Sequence, residues 1–145
     1  MYGSIHMMTI SYLEQPIPHD THAALLHLAH PDRSSDWQHA VFAAFSHSAY
    51  VVSAWDADIL VGTARIIHDS VAFALLADVL VHPDYRHKGI GRTLVTMCRR
   101  TFPAFYMYAD PANDNARAFY AALGFTTHQG MVALPSSSSR VEEAT

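Results

Sequence analysis

The sequence predicts an α/β chain of the α+β kind. Its centre is a mixed, mostly antiparallel sheet of about six strands, flanked by about four helices. Three observations predict it. Read from hydrophobic period, the elements run β-α-α-β-β-β-α-β-α-β. The run Val71–Val81 is almost wholly apolar, as a strand covered on both faces must be. Strand-helix-strand in the second half then demands a parallel pair, because a crossover returns the chain in the same direction.

Each element has its own signal. Thr9–Leu13 reads as a short first strand. His19–His30 carries Leu25, Leu28 and Ala29 and stops at Pro31, which predicts a helix. Ser35-Asp36-Trp37-Gln38 has capping-box spacing, and Trp37, Val41, Ala44, Phe45 and Ser48 follow at helical period. Tyr50–Trp55 and Ile59–Ile67 are strand-like and joined by Asp56-Ala57-Asp58, a hairpin with a three-residue loop. Val71–Val81 is the central strand. Ile90, Leu94, Val95, Met97, Cys98 and Phe102 form one helix face, which Pro103 ends. Phe105–Ala109 is a short strand. Ala116, Phe119, Tyr120 and Leu123 recur at helical spacing, and Gly124 supplies the stop. Phe125–Leu134 predicts a last strand, bent at Gly130.

Composition bounds the rest. Of 145 residues, 50% are hydrophobic and 15% charged, enough to fill a core. The net charge of −4 leaves no overall electrostatic footprint for nucleic acid. No apolar run approaches a membrane helix. The single cysteine, Cys98, excludes an intrachain disulfide or a cysteine-based zinc site, and points most simply to the cytoplasm. Eleven histidines stand out, with His19 and His22, and His27 and His30, at helical spacing. No acidic or cysteine ligands cluster with them, so they read as solvated helix-face side chains and no metal is expected. Met1–Met7 resembles an expression scar or a disordered start, residues 8–135 a single domain, and residues 136–145 a flexible tail.

The most informative stretch is Val79-Leu80-Val81-His82-Pro83-Asp84-Tyr85-Arg86-His87-Lys88-Gly89-Ile90-Gly91-Arg92. A buried strand ends, a loop carries Arg86 and Lys88, two glycines follow, and a helix begins. Gly89 and Gly91 remove side chains where a ligand must approach backbone. Amide groups and a helix N-terminus can then converge on one anion. That is chemistry for a pyrophosphate. The spacing matches neither a P-loop nor a dinucleotide fingerprint.

Arg86-His87-Lys88-Gly89-Ile90-Gly91 resembles the [Q/R]-x-x-G-x-[G/A] signature of the GNAT superfamily of acetyl-CoA-dependent N-acetyltransferases. Asn113-Asp114-Asn115-Ala116-Arg117-Ala118-Phe119-Tyr120-Ala121-Ala122-Leu123-Gly124-Phe125 resembles a second block of the same family, N-x-x-A-x-x-[FL]-Y-x-x-x-G-F. The element order also agrees. The resemblance implies a GNAT-like sheet whose parallel pair splays apart. It implies that Arg86, His87, Lys88, Gly89, Ile90, Gly91 and Arg92 wrap the CoA pyrophosphate. It places Val79, Leu80 and Val81 along the pantetheine arm, Asn113 and Ala116 against that arm, and Tyr120 beside the sulfur. The implied reaction is direct attack by an amine on the thioester, through a tetrahedral intermediate, with acetyl-CoA as cosubstrate. A peptide or protein acceptor, a catalytically silent acetyl-CoA-binding module, and a homodimer all stay open.

Transfer to an amine needs a neutral amine, a stabilised oxyanion and a protonated leaving thiolate. Tyr120 suits the last task. Neutralising an alkylamine at pH 7 costs roughly 4 kcal/mol, so a proton acceptor is wanted. Asp78 is the one acid in the apolar strand. Burying it alone would be costly, so it either positions a substrate ammonium or makes a structural hydrogen bond. Where the family often carries glutamate, this strand has Leu75 and Ala77. A water chain ending at Asp78, His82 or His68 is the remaining route. Trp37, Phe42, Phe45, Tyr50, Tyr106 and Tyr108 are available to line an acceptor site, with Trp37, Tyr50 and Tyr108 foremost.

Overall fold

The computed structural model describes residues 8–136. The expectations for residues 1–7 and for most of the tail fall outside that range. Five strands form one sheet in the order β1-β2-β3-β4-β5. They are β1 (Ile10–Leu13), β2 (Tyr50–Asp56), β3 (Ile59–His68), β4 (Phe73–Val81) and β5 (Tyr106–Ala109). Four helices flank it: α1 (His19–Ala29), α2 (Ser35–Ser46), α3 (Ile90–Thr101) and α4 (Asp114–Ala122). Neighbouring strands are antiparallel except β4 and β5, which run parallel.

Side-chain alternation assigns each face of the sheet a partner. Val52 and Ala54 of β2, Ala64 and Ile66 of β3, and Ala74 and Leu76 of β4 pack under Ile90, Leu94, Val95 and Cys98 of α3. Gly62 lets α3 come this close: a Cβ there would stand 3.0 Å from Leu94 Cδ1 and 3.1 Å from Ile90 Cγ2. The opposite face carries Val51 and Leu80, which pack on Leu26 of α1 and Trp37, Val41 and Phe45 of α2.

Several boundaries differ from the sequence reading. The β2–β3 turn has two residues, because Asp56 pairs with Ile59 and Ala57 takes a positive φ of 52°. Asp69 Oδ1 accepts from the amides of Val71, Ala72 and Phe73, which draws Val71 into the β3–β4 turn and delays β4 to Phe73. The cap of α2 is Ser34, whose side chain accepts from the Trp37 amide at 3.1 Å, so Ser35 and Gln38 form no capping box. The expected sixth strand over Phe125–Leu134 does not form. Gly124 (φ 90°) turns the chain out of α4, and the Phe125 amide bonds back to the Tyr120 carbonyl at 3.1 Å. Thr126-Thr127-His128-Gln129-Gly130 then offers no apolar side chain to press on a core. Met131, Val132 and Leu134 stay exposed.

His22 overturns the expectation of solvated histidines. It is buried between the rings of Phe42 and Phe45, with centroids 5.4 and 4.5 Å away. Its Nε2 has no hydrogen-bond partner among the described residues. Burial, with a smaller push from His19, lowers its pKa from 6.5 to about 4. Between those values the unfolded chain binds the proton more tightly, so stability falls as pH drops through that window. The loss should total about 3 kcal/mol. Denaturant unfolding at stepped pH should show this loss, and His22→Leu should flatten it while leaving stability near pH 8 undiminished.

Candidate active site

β4 serves two different neighbours along its length. Phe73–Leu76 pairs with Tyr106–Ala109 of β5, and beyond Leu76 that edge has no strand beside it. A bulge marks the change. Arg65 of β3 lies opposite Ala77 and Thr63 opposite Leu80, so Ala64 faces both Asp78 and Val79. Asp78 adopts φ 49°, a left-handed conformation that disfavours an L side chain. Further along, the His82 amide donates to the Val61 carbonyl at 2.8 Å. Alternation therefore turns the backbone groups of Val79 and Val81 toward the open edge.

Side chains hold the bulge in place. The Arg65 Nε–H donates to Asp78 Oδ2, and both side chains are largely buried. Thr63 Oγ1 donates to the Asp78 carbonyl at 3.2 Å. The Arg65 guanidinium lies 5.7 Å from the Phe45 ring centroid and reaches Ser48 Oγ at 3.4 Å. The Asp78 carboxylate is thus ion-paired on the α2 side of the sheet. Sequence reasoning did not single out Arg65. The available signal was a lone charge in an apolar strand, facing the lone charge of the next.

After β4 the chain makes a single 3₁₀ turn over Pro83–Tyr85, capped by His82 Nδ1 accepting from the Asp84 amide at 3.1 Å. Tyr85 Oη donates to Asp56 Oδ2 at 2.6 Å and ties this loop to the β2–β3 hairpin. Arg86, His87, Lys88 and Gly89 are exposed. His87 (φ 61°) and Gly89 (φ 83°) are both left-handed. Gly89 is the N-cap of α3 and gives it no side-chain cap. The first bond of the helix runs from the Thr93 amide to the Gly89 carbonyl at 3.1 Å. Amides at the start of α3 therefore have no acceptor in their own helix. Arg92 is exposed beside them and Ile90 anchors the turn in the core. A Cβ on Gly89 would meet nothing within 4 Å, so open space lies above it. Such a cradle fits a pyrophosphate. Gly91 does different work, since its Cβ would rest 3.4 Å from Phe119 Cζ and 3.5 Å from Val81 Cγ2. It seats α4 against the loop.

α4 brings in the second motif. Asn113 Oδ1 accepts from the Ala116 amide at 2.9 Å and caps the helix, which leaves its NH₂ group for another partner. Tyr120 packs on the α3 face between Phe119 and Phe125, at 5.1 and 5.3 Å. Burial, with a smaller contribution from Cys98, pushes its phenol up to about 12. Tyr120 and Asp78 thus lie toward opposite sides of the sheet, with the free half of β4 between them. Cys98 itself is fully buried, and desolvation pushes its thiol up to about 12.

The expected acceptor wall is divided. Trp37 and Phe45 are buried in the α1–α2 cluster. Tyr50 sits on the α3 side, donating to Glu14 Oε1 at 2.7 Å and meeting Phe102 edge-on. Tyr108 lies on β5, between Phe73 and His128. Trp37 and Tyr50 therefore do not share a site. His68 is also remote from the bulge, packed on Phe102 and Phe105. A cleft of about 1090 Å³ runs along β5, α4 and the segment after it. It shares Tyr106, Tyr108 and Tyr120 with the expected residues but not the glycine loop. The loop and the bulge, by contrast, carry backbone groups left without partners in the sheet or helix.

The sequence model of the acetyltransferase (GNAT) family matches residues 21–125, and the chain belongs to that family. No curated protein matches it in sequence. Solved structures share its fold at low identity. A GNAT-family acetyltransferase of Streptococcus pneumoniae superposes with a TM-score of 0.75 at 23% identity, covering 89% of this chain and 100% of that one. A probable acetyltransferase of Staphylococcus aureus gives 0.73 at 18%, covering 88% and 100%. The aminoglycoside N-acetyltransferase AAC(6')-Iy, bound to the bisubstrate analogue CoA-S-monomethyl-acetylneamine, gives 0.69 at 18%, covering 88% and 98%. No helix among the described residues is long and apolar enough to cross a membrane.

The ion pair at the bulge yields a prediction that needs no substrate. A double-mutant cycle with Arg65→Met and Asp78→Asn should return a coupling energy above about 1 kcal/mol, because each single change strands a buried polar group. Urea unfolding of the four proteins measures it.

Proposed function

We propose that this protein moves the acetyl group of acetyl-CoA to a primary amine of a small molecule. The observation that carries the reading is the glycine cradle at the start of α3, placed where β4 loses its strand partner. The cradle suits a pyrophosphate. The open backbone of Val79 and Val81 suits the amides of a pantetheine arm, which would lie along β4 as an added strand. Arg86, Lys88 and Arg92 supply positive charge around the phosphates, and His87 a ring nitrogen for hydrogen bonding. Asn113 has a free amide for the arm, and Ala116 leaves room beside it.

The transfer balances simply. The acceptor ammonium first gives one proton to water; the neutral amine nitrogen then bonds to the thioester carbonyl carbon, and the carbon–sulfur bond breaks. The Val79 amide is the group of β4 best placed to donate to the developing oxyanion. Tyr120, held neutral by burial, gives its phenolic proton to the departing thiolate. The proton lost by the amine passes to water and restores the phenol. Asp78 is engaged by Arg65 through Oδ2, so its part is to shape the bulge, and its other carboxylate oxygen is left to accept from the entering ammonium. No metal is invoked. The lone buried cysteine supports a reducing compartment, most simply the cytoplasm.

A silent acetyl-CoA-binding module is the alternative. Tyr120 argues against it, because binding alone gives no reason to bring a phenol to this place. Thiol release from acetyl-CoA across an amine panel separates the two readings.

Two substitutions test the parts. Gly89→Val should abolish acetyl-CoA binding in calorimetry while the circular dichroism spectrum stays folded; unchanged affinity would exclude the cradle. Tyr120→Phe keeps the ring and should lower the single-turnover rate about 10²–10⁴-fold with little change in acetyl-CoA affinity. A phenol that ionises only near 12 also predicts no alkaline fall in kcat from Tyr120 below about pH 10. A rate within about threefold of the parent would remove Tyr120 from the proton path.

A further inference from the structure

We infer that the amine acceptor carries an anionic group, which Arg33 binds at the rim of the α1–α2 turn while the ammonium lies toward Asp78. This rests on the acetyl-transfer reading above and adds the substrate class. Arg33 lies half-buried between α1 and α2, and its guanidinium sits 5.5 Å from the Trp37 ring centroid. Its amide donates to the His30 carbonyl at 3.2 Å, and His30 meets the same indole at 5.2 Å. The cluster that holds Trp37 packs on Leu80, two residues beyond Asp78. The rim therefore overlooks the free half of β4 from the side on which Asp78 projects.

Arg65 is already bonded to Asp78. Arg86 belongs to the phosphate loop. Arg33 forms no ion pair with any carboxylate among the described residues, although the exposed Asp32 and Asp36 flank it in the chain. His30 lies within electrostatic reach of Arg33, Arg86 and Asp78 together, and burial followed by the two arginines lowers its pKa. The imidazole is thus held neutral and adds no competing charge. One guanidinium is left without an anion, stacked on an aromatic ring that fixes its plane. A carboxylate or phosphate on the acceptor would complete it. A polycationic acceptor would instead place its further ammonium groups against Arg33 and Arg86.

The test is thiol release from acetyl-CoA with matched amines. Lysine is set against cadaverine, tyrosine against tyramine, and phosphoethanolamine against ethanolamine, with an aminoglycoside as the polycation. The anionic member of at least one pair should be favoured at least about tenfold in kcat/KM, and the pair that responds tells carboxylate from phosphate. Arg33→Gln should erase that preference by raising the acceptor KM, with kcat and the acetyl-CoA KM nearly unchanged. Arg33→Lys, which keeps the charge, should retain part of it. Preference for the members without an anionic group, or for the aminoglycoside, overturns the inference and leaves acetyl transfer standing. So does an Arg33→Gln enzyme whose acetyl-CoA KM rises instead, since Arg33 would then serve the CoA phosphates. Acetyl-CoA binding without turnover of any amine overturns acetyl transfer, and this inference with it.

Discussion

The bond between Arg65 and Asp78 is the constraint on which the site depends. Asp78 stands in a backbone conformation that an aspartate adopts at a cost, and an isolated strand would relax out of it. The arginine across the ladder, seated on Phe45, keeps the bulge in place. Because the bulge is kept, β4 bends away from β5 after four paired residues and leaves half its edge open. A sheet normally hides such an edge. Here the opening leads into the loop that starts α3, whose first amides have no acceptor in their own helix.

Around that opening the two motifs cooperate through packing. α3 lies on the sheet because Gly62 permits it, and its first turn meets α4 because Gly91 permits that. The same contact, Gly91 against Phe119, sets the height of Tyr120 one residue further along. The glycine loop and the phenol are therefore fixed to one another by van der Waals contact. Tyr85 adds a tether on the far side, from the loop to the hairpin at Asp56. α1 and α2 pack separately, on the opposite face of the sheet.

How much of this could be read from the chain follows from the range of each interaction. The glycine loop and the Asn113–Phe125 block were legible because their chemistry is local: a turn, a cap and a helical stripe lie within a few residues. The parallel pair was legible because topology requires it. The Arg65–Asp78 bond was not, since its partners are 13 residues apart and meet only through a shifted register. His22 was misread for a similar reason. Helical spacing marks His19 and His22 alike, and only the arrival of α2 buries one and leaves the other exposed. The last strand failed in the opposite way. Phe125 and the later Met131 and Val132 suggested a continuous run, but the five residues from Thr126 to Gly130 break the alternation that holds a strand to a core.

The burial of Cys98 has a practical meaning for the chemistry. It is the only cysteine of the 145 residues, it has no measurable exposure, and its proton is held far above the neutral range. The thiolate is the reactive form, so the folded protein has almost no nucleophilic sulfur of its own. A disulfide dye added to the folded protein should therefore find little thiol to report, so a thiol-release assay would start from a low background.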